Sequence, residues 1–135
     1  MKRLHFAFGL FAAVACSGLQ AQTPLRANIP FEFRMGQTSF PSGEYVFEPS
    51  SHILVVRQTE GQHSAVMTLT QSAWRLNKPA TSIVEFNRYG DTYFLSKLWI
   101  QGSTDGEALP PTSHERELAR RMAPIRTEAI ALKTK

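Results

Sequence analysis

Phe86-Asn-Arg-Tyr-Gly-Asp-Thr-Tyr-Phe-Leu-Ser-Lys-Leu-Trp-Ile100 holds two runs of alternating side chains on either side of one glycine. Before it, Val84 and Phe86 alternate with Ile83 and Glu85. After it, Phe94, Leu98 and Ile100 alternate with Tyr93, Leu95, Lys97 and Trp99. A period of two puts successive side chains on opposite faces of a strand. Tyr89-Gly90-Asp91-Thr92 joins the runs, and glycine takes positive φ without a Cβ clash, so the stretch predicts two strands around a tight turn. Arg88 and Asp91 are then turn charges. The same tip also offers a candidate ligand or partner surface of Arg88, Tyr89, Asp91 and Tyr93.

The pattern extends upstream. Asn28 to Met35 alternates Ile29, Phe31, Phe33 and Met35, one strand that starts at an edge because Pro30 has no N–H to donate. Gly36-Gln37 turns the chain, Phe40 returns to the core, and Pro41-Ser42-Gly43 turns it again. Glu44 to Glu48 places Tyr45 and Phe47 on one face. Ile53 to Val56 is a continuous apolar run, read as a central strand that turns through Thr59 to Gln62 into a return strand from Ser64 to Gln71. Ser72 to Pro79 is polar, and Trp74 within it is expected to fold back as a lid on the core.

Downstream, residues 103–111 are rich in Ser, Thr, Asp, Gly and Pro and predict a loop across one end of the sheet. Thr112-Ser-His-Glu115 fits a capping box, with Thr112 as N-cap and Glu115 reaching back to its N–H, so a helix is expected over about 112–122, ended by Pro124. Residues 125–133 fit both periods; Ile130 and Leu132 alternating with Ala129, Ala131 and Lys133 favours a closing strand. The hairpin-rich order predicts an all-β, mainly antiparallel fold: a small sandwich or partly open barrel of about six to eight strands with one C-terminal helix.

The first 21 residues read as a signal peptide, with Lys2 and Arg3 before an apolar run from Leu4 to Ala15 and cleavage between Ala21 and Gln22. That run is short of the roughly 20 residues that span a bilayer. Removing 21 of the 135 residues leaves 114, predicted to form a single β-rich domain over 22–135. A competing reading makes Ala13-Val14-Ala15-Cys16 a lipobox, with Cys16 acylated and kept as the first residue. Ordinary cleavage removes Cys16, the only cysteine, and leaves no disulfide. Without Lys2 and Arg3 the chain carries 13 basic against 11 acidic side chains, the basic excess lying after residue 113. Export to the periplasm or beyond argues against a nucleic-acid partner. Arg116, Arg120 and Arg121, or a lipidated Cys16, would permit peripheral membrane contact.

No motif specifies a reaction. His52, His63 and His114 sit in separate elements without metal-ligand spacing, there is no G-x-S-x-G elbow, and phosphate loops and dinucleotide fingerprints are absent. Glu32, Glu44, Glu48 and Glu85 alternate with aromatics and fall on outward faces. No cofactor is expected. The readings left are a non-catalytic binding or structural protein of the cell envelope, and a lipocalin-like carrier of a small apolar ligand; a hydrolase has no supporting motif.

Three blocks, Ile29-Pro-Phe-Glu-Phe with Phe40-Pro-Ser-Gly-Glu-Tyr45, Phe86 to Ser96 with Trp99, and Glu115-Arg-Glu-Leu-Ala-Arg120, run nearly the length of the mature chain. Together the sequence resembles a group of short, uncharacterised bacterial secreted proteins that carry these blocks in this order. The resemblance implies a β-rich fold with one late helix and brings no activity, cofactor or catalytic residue. Export predicts an intact mass that starts at Gln22; a diacylglyceryl mass on Cys16 would establish the lipoprotein reading instead.

Overall fold

The computed structural model describes residues 24–60, 65–122 and 126–134. The expected leader with Cys16, Ala21 and Gln22, and the turn residue His63, lie outside them. Twelve strands and one helix form in the order β1 Leu25–Ile29, β2 Phe33–Met35, β3 Thr38–Phe40, β4 Gly43–Ser50, β5 Ile53–Gln58, β6 Val66–Leu69, β7 Gln71–Trp74, β8 Ile83–Tyr89, β9 Thr92–Trp99, β10 Asp105–Ala108, α1 Ser113–Arg121, β11 Arg126–Ala131 and β12 Lys133–Thr134.

Two mostly antiparallel sheets face each other as a sandwich, without closing into a barrel. One has the order β12-β1-β4-β5-β6; the other runs β11-β8-β9-β10-β7, with the β2-β3 hairpin also joined to β9. The β2-β9 contact is parallel, pairing Phe33 with Tyr93 and Arg34 with Phe94. The strand count exceeds the expected six to eight because segments read as single strands bend from one sheet to the other. The run from Asn28 to Met35 breaks at Pro30, which cannot donate to a ladder, so β1 and β2 belong to opposite sheets. Thr70 turns β6 into β7, and Leu132 turns β11 into β12. Each corner keeps its backbone satisfied: Thr70 N–H donates to His52 C=O at 2.9 Å, and Leu132 N–H to Ser82 C=O at 2.8 Å.

Between the sheets the core is unevenly filled. Phe33, Tyr45, Phe47, Phe86, Leu54, Val56, Val84 and Leu98 are all sealed from solvent. The rings gather at the end of the sandwich that carries Tyr45 and Tyr93. Phe33 touches Phe40, Tyr45 and Phe86 at centroid distances of 5.1, 5.0 and 5.2 Å, and Phe31 stacks on Tyr93 at 3.8 Å. The buried Tyr45 hydroxyl donates to the Pro41 carbonyl.

The central hairpin of β8 and β9 forms as its spacing predicts, with Gly90 at φ 61°. The face assignment after the turn needs correction. Glu85 pairs with Lys97 but Phe86 with Leu95, so Ser96 bulges out of the ladder and shifts the alternation by one. Tyr93, Leu95 and Leu98 consequently face the core, whereas Phe94 and Trp99 lie on the outer face.

Trp74 is not a lid. It is 67% exposed on edge strand β7. The expected loop over 103–111 contains β10, which pairs with both β7 and β9. Gly106 makes that placement possible, because a Cβ there would stand 2.4 Å from Trp99 Cε3 and 2.6 Å from the Leu98 carbonyl oxygen. Neither neighbour has room to yield, since one is a buried indole capped by the Arg75 guanidinium 5.1 Å from its centroid and the other is backbone. Gly106→Ala should destabilise the protein by about 1 to 3 kcal/mol, as overpacked sites do; equilibrium unfolding in denaturant measures this.

Candidate functional site

Among the described residues no Phe, Tyr or Trp lines the end of the sandwich opposite the ring cluster. A cleft of about 670 Å³ opens there between the sheets, with Leu25, Pro49, Leu98 and Ile100 as its apolar wall and Ser72, Asp105 and Glu107 as its polar wall. Strand geometry explains the polar wall. Asp105 and Glu107 are two apart on β10 and share a face, and the register sets Ser72 opposite Glu107 and Trp74 opposite Asp105. Trp74 therefore stands on the same side of β7 as Ser72, beyond the cleft lining.

The β4-β5 turn forms the facing rim. Ser51 and His52 join Ser50 to Ile53, and His52 adopts φ 61°, the left-handed region that non-glycine residues occupy at a cost of about 1 to 3 kcal/mol. Its carbonyl holds the Thr70 corner, and its side chain is exposed at the cleft. A strained histidine kept at a cleft mouth marks a place where backbone comfort is not the only constraint.

Glu107 is the unusual group of the cleft. Burial pushes its carboxyl above the ordinary carboxylate range, although the Thr70 hydroxyl and the His52 side chain each offset part of that effect. Its Oε2 is buried and, like the Oγ1 of Thr70 beside it, a residue only 6% exposed, meets no partner in good hydrogen-bond geometry. Among the described residues neither Glu107 nor Asp105 has an ion-pair partner within 4.0 Å, His52 included. His52 and the two carboxylates therefore share the cleft without touching. Ser82 Oγ, also in the wall, already accepts the Gln101 N–H at 2.9 Å. Among the described residues no group of three or more His, Cys, Asp or Glu is placed to hold a metal ion.

The four residues of the hairpin tip do not form one surface. Tyr89 is buried beneath α1, where its hydroxyl donates to Glu115 Oε1 at 3.2 Å beside Asn87 Nδ2 at 3.0 Å. Burial first, then the Glu115 charge, pushes the Tyr89 phenol up to about 12. Glu115 therefore does not complete the expected capping box. Thr112 Oγ1 accepts the Glu115 N–H at 3.1 Å, while the carboxylate turns to the sheet and anchors the helix. Arg88 and Tyr93 lie on the other face, the guanidinium 5.3 Å from the ring centroid. Arg88 also donates from Nε to the Gly90 carbonyl at 2.7 Å and lies 3.7 Å from Glu128 and 3.9 Å from Asp91. Only Asp91 projects freely.

The exposed arginines of α1 are Arg116, Arg120 and Arg121, of which Arg121 donates to Glu117 at 2.7 Å. His114 packs its ring 5.8 Å from Phe94, far from the other histidines in the sequence. Reasoning from the sequence passes over Asp105, Glu107, Ser72 and Trp74 as members of one site. Their only signal is two acidic residues at i and i+2 inside a Gly-rich stretch, and β7 and β10 meet across some thirty residues of chain.

The raised Glu107 carboxyl has a sign in the pH dependence of stability. A group protonated more readily in the folded state supports folding below its unfolded value, near 4.5, and loses that support as pH rises. Glu107→Gln should therefore melt higher than wild type at pH 7, with the gain vanishing as pH falls below about 4.5; thermal denaturation at several pH values measures it. Comparisons of the chain with protein families, with curated proteins and with solved structures return no match.

Proposed function

We propose that the protein is an exported, non-catalytic binding protein of the cell envelope and that its ligand site is the end cleft. The observation that carries this reading is the cleft itself. Its volume of about 670 Å³ lies in the range of roughly 300 to 1,000 Å³ typical of small-molecule sites, with an apolar wall and few polar groups. The unpartnered Oε2 of Glu107 and Oγ1 of Thr70 support it, because buried polar atoms are ordinarily satisfied.

The carrier reading draws on the same cleft. Leu25, Pro49, Leu98 and Ile100 suit the apolar body of a ligand. The sealed ring cluster leaves no room for one deeper between the sheets, so a bound molecule would sit at the end of the sandwich with part of its surface in water. Catalysis gains no support, since His52 is not engaged with a carboxylate.

Ser72 lies on the exposed rim of β7 and lines the cleft, so Ser72→Phe should fill it without disturbing the core. In a thermal-shift screen of neutral, cationic and anionic fragments, we expect wild type to be stabilised by some of them and Ser72→Phe by none. Equal shifts in both proteins would place binding elsewhere.

A further inference from the structure

We propose that the cleft recognises an organic cation, an amine attached to an apolar body. This rests on the reading of the cleft as the ligand site and specifies the ligand's chemistry. Two carboxylates, Asp105 and Glu107, line the cleft from one face of β10, and no lysine or arginine among the described residues does. His52 is its one basic side chain.

Elsewhere among the described residues, three carboxylates at strand ladders find arginines, Glu44 with Arg26, Glu48 with Arg57 and Glu128 with Arg88, while Glu85 on β8 has no ion pair. Glu107 has no such partner, and its Oε2 is buried without a hydrogen bond of good geometry. Removing a carboxylate from water without a counter-charge is unfavourable, and a ligand cation would reverse that penalty. The Thr70 hydroxyl beside it, on a residue 6% exposed, faces that carboxylate without meeting it in good hydrogen-bond geometry. Among the described residues the polar end of the cleft is thus short of positive charge.

An ammonium group supplies it. It carries one positive charge and up to three N–H donors, and it tolerates carboxylates on one side only. A metal ion demands a convergent set of ligands, and no group of three or more such side chains is present among the described residues. The apolar wall of Leu98 and Ile100 would take the body of the amine. Trp74 adds a second feature. Its indole, 67% exposed, stands opposite Asp105 in the ladder and on the side of β7 that faces the cleft. An exposed indole beside a carboxylate is the pairing that attracts cations through both charge and the negative face of the ring.

The test is calorimetric titration of the chain from Gln22 to Lys135 with three probes of one shape, benzylamine, benzyl alcohol and benzoate, at pH 7 and low salt. We expect benzylamine to bind about tenfold or more tightly than benzyl alcohol, as a charge-assisted hydrogen bond allows, and benzoate to bind most weakly. Glu107→Gln should abolish the preference for the amine while melting higher than wild type, so loss of binding would not reflect unfolding. Asp105→Asn, on an exposed position, should reduce the preference. Equal binding of amine and alcohol, or an amine preference retained in both variants, would overturn the cation assignment and leave the cleft as a site. Binding by none of the three probes, together with fragment shifts that Ser72→Phe does not remove, would overturn both readings.

Discussion

Packing of Phe33 against three other rings is the contact on which the remaining architecture depends. β2 is only three residues long and would not hold a place in a sheet by its ladder alone. Its ring meets Phe40 from the same hairpin, Tyr45 from the opposite sheet and Phe86 from the central strand of its own. Aromatic pairs in such edge and offset arrangements contribute about 0.5 to 1.5 kcal/mol each beyond the area they bury. The cluster thereby locks the two sheets together at one end. Concentrating large rings there has a geometric consequence at the other end. Sheets held apart by ring-sized side chains leave a gap where Leu25, Ser72, Ser82 and Leu98 face one another, and that gap is the cleft.

Two costs gather around the gap. His52 occupies a left-handed backbone conformation, and Glu107 keeps a carboxylate where burial opposes its charge. Neither improves folding. Their coincidence in one cleft supports the proposed site, since backbone strain and unmet polar groups cluster at functional sites. Elsewhere the surface carries exposed ion pairs such as Arg57 with Glu48 and Arg121 with Glu117, which contribute little.

The hairpin tip illustrates how strand geometry divides what the sequence places side by side. Arg88 and Tyr89 are neighbours in the chain, yet the pleat sends one toward Tyr93 and Glu128 and the other beneath the helix. Tyr89 and Asn87 then receive the Glu115 carboxylate, which fastens α1 to the outer face of the sheet. A residue suited to a helix cap serves as a tertiary anchor because its carboxylate finds two donors on the sheet.

The sequence by itself determined the class of fold, the central hairpin and its glycine, and the helix with its threonine cap. All of these arise from interactions within about ten residues of chain, where period, turn chemistry and capping are local. Tertiary structure alone decided the sheet switches at Pro30, Thr70 and Leu132, the bulge at Ser96 that reverses the faces of β9, and the exposed place of Trp74. It also decided the site. Glu107 and Ser72 face each other only because β7 and β10 pair across a long stretch of chain, and His52 joins them from the opposite sheet. No local spacing encodes such a meeting, because it depends on which strands become neighbours once the rings have closed the other end.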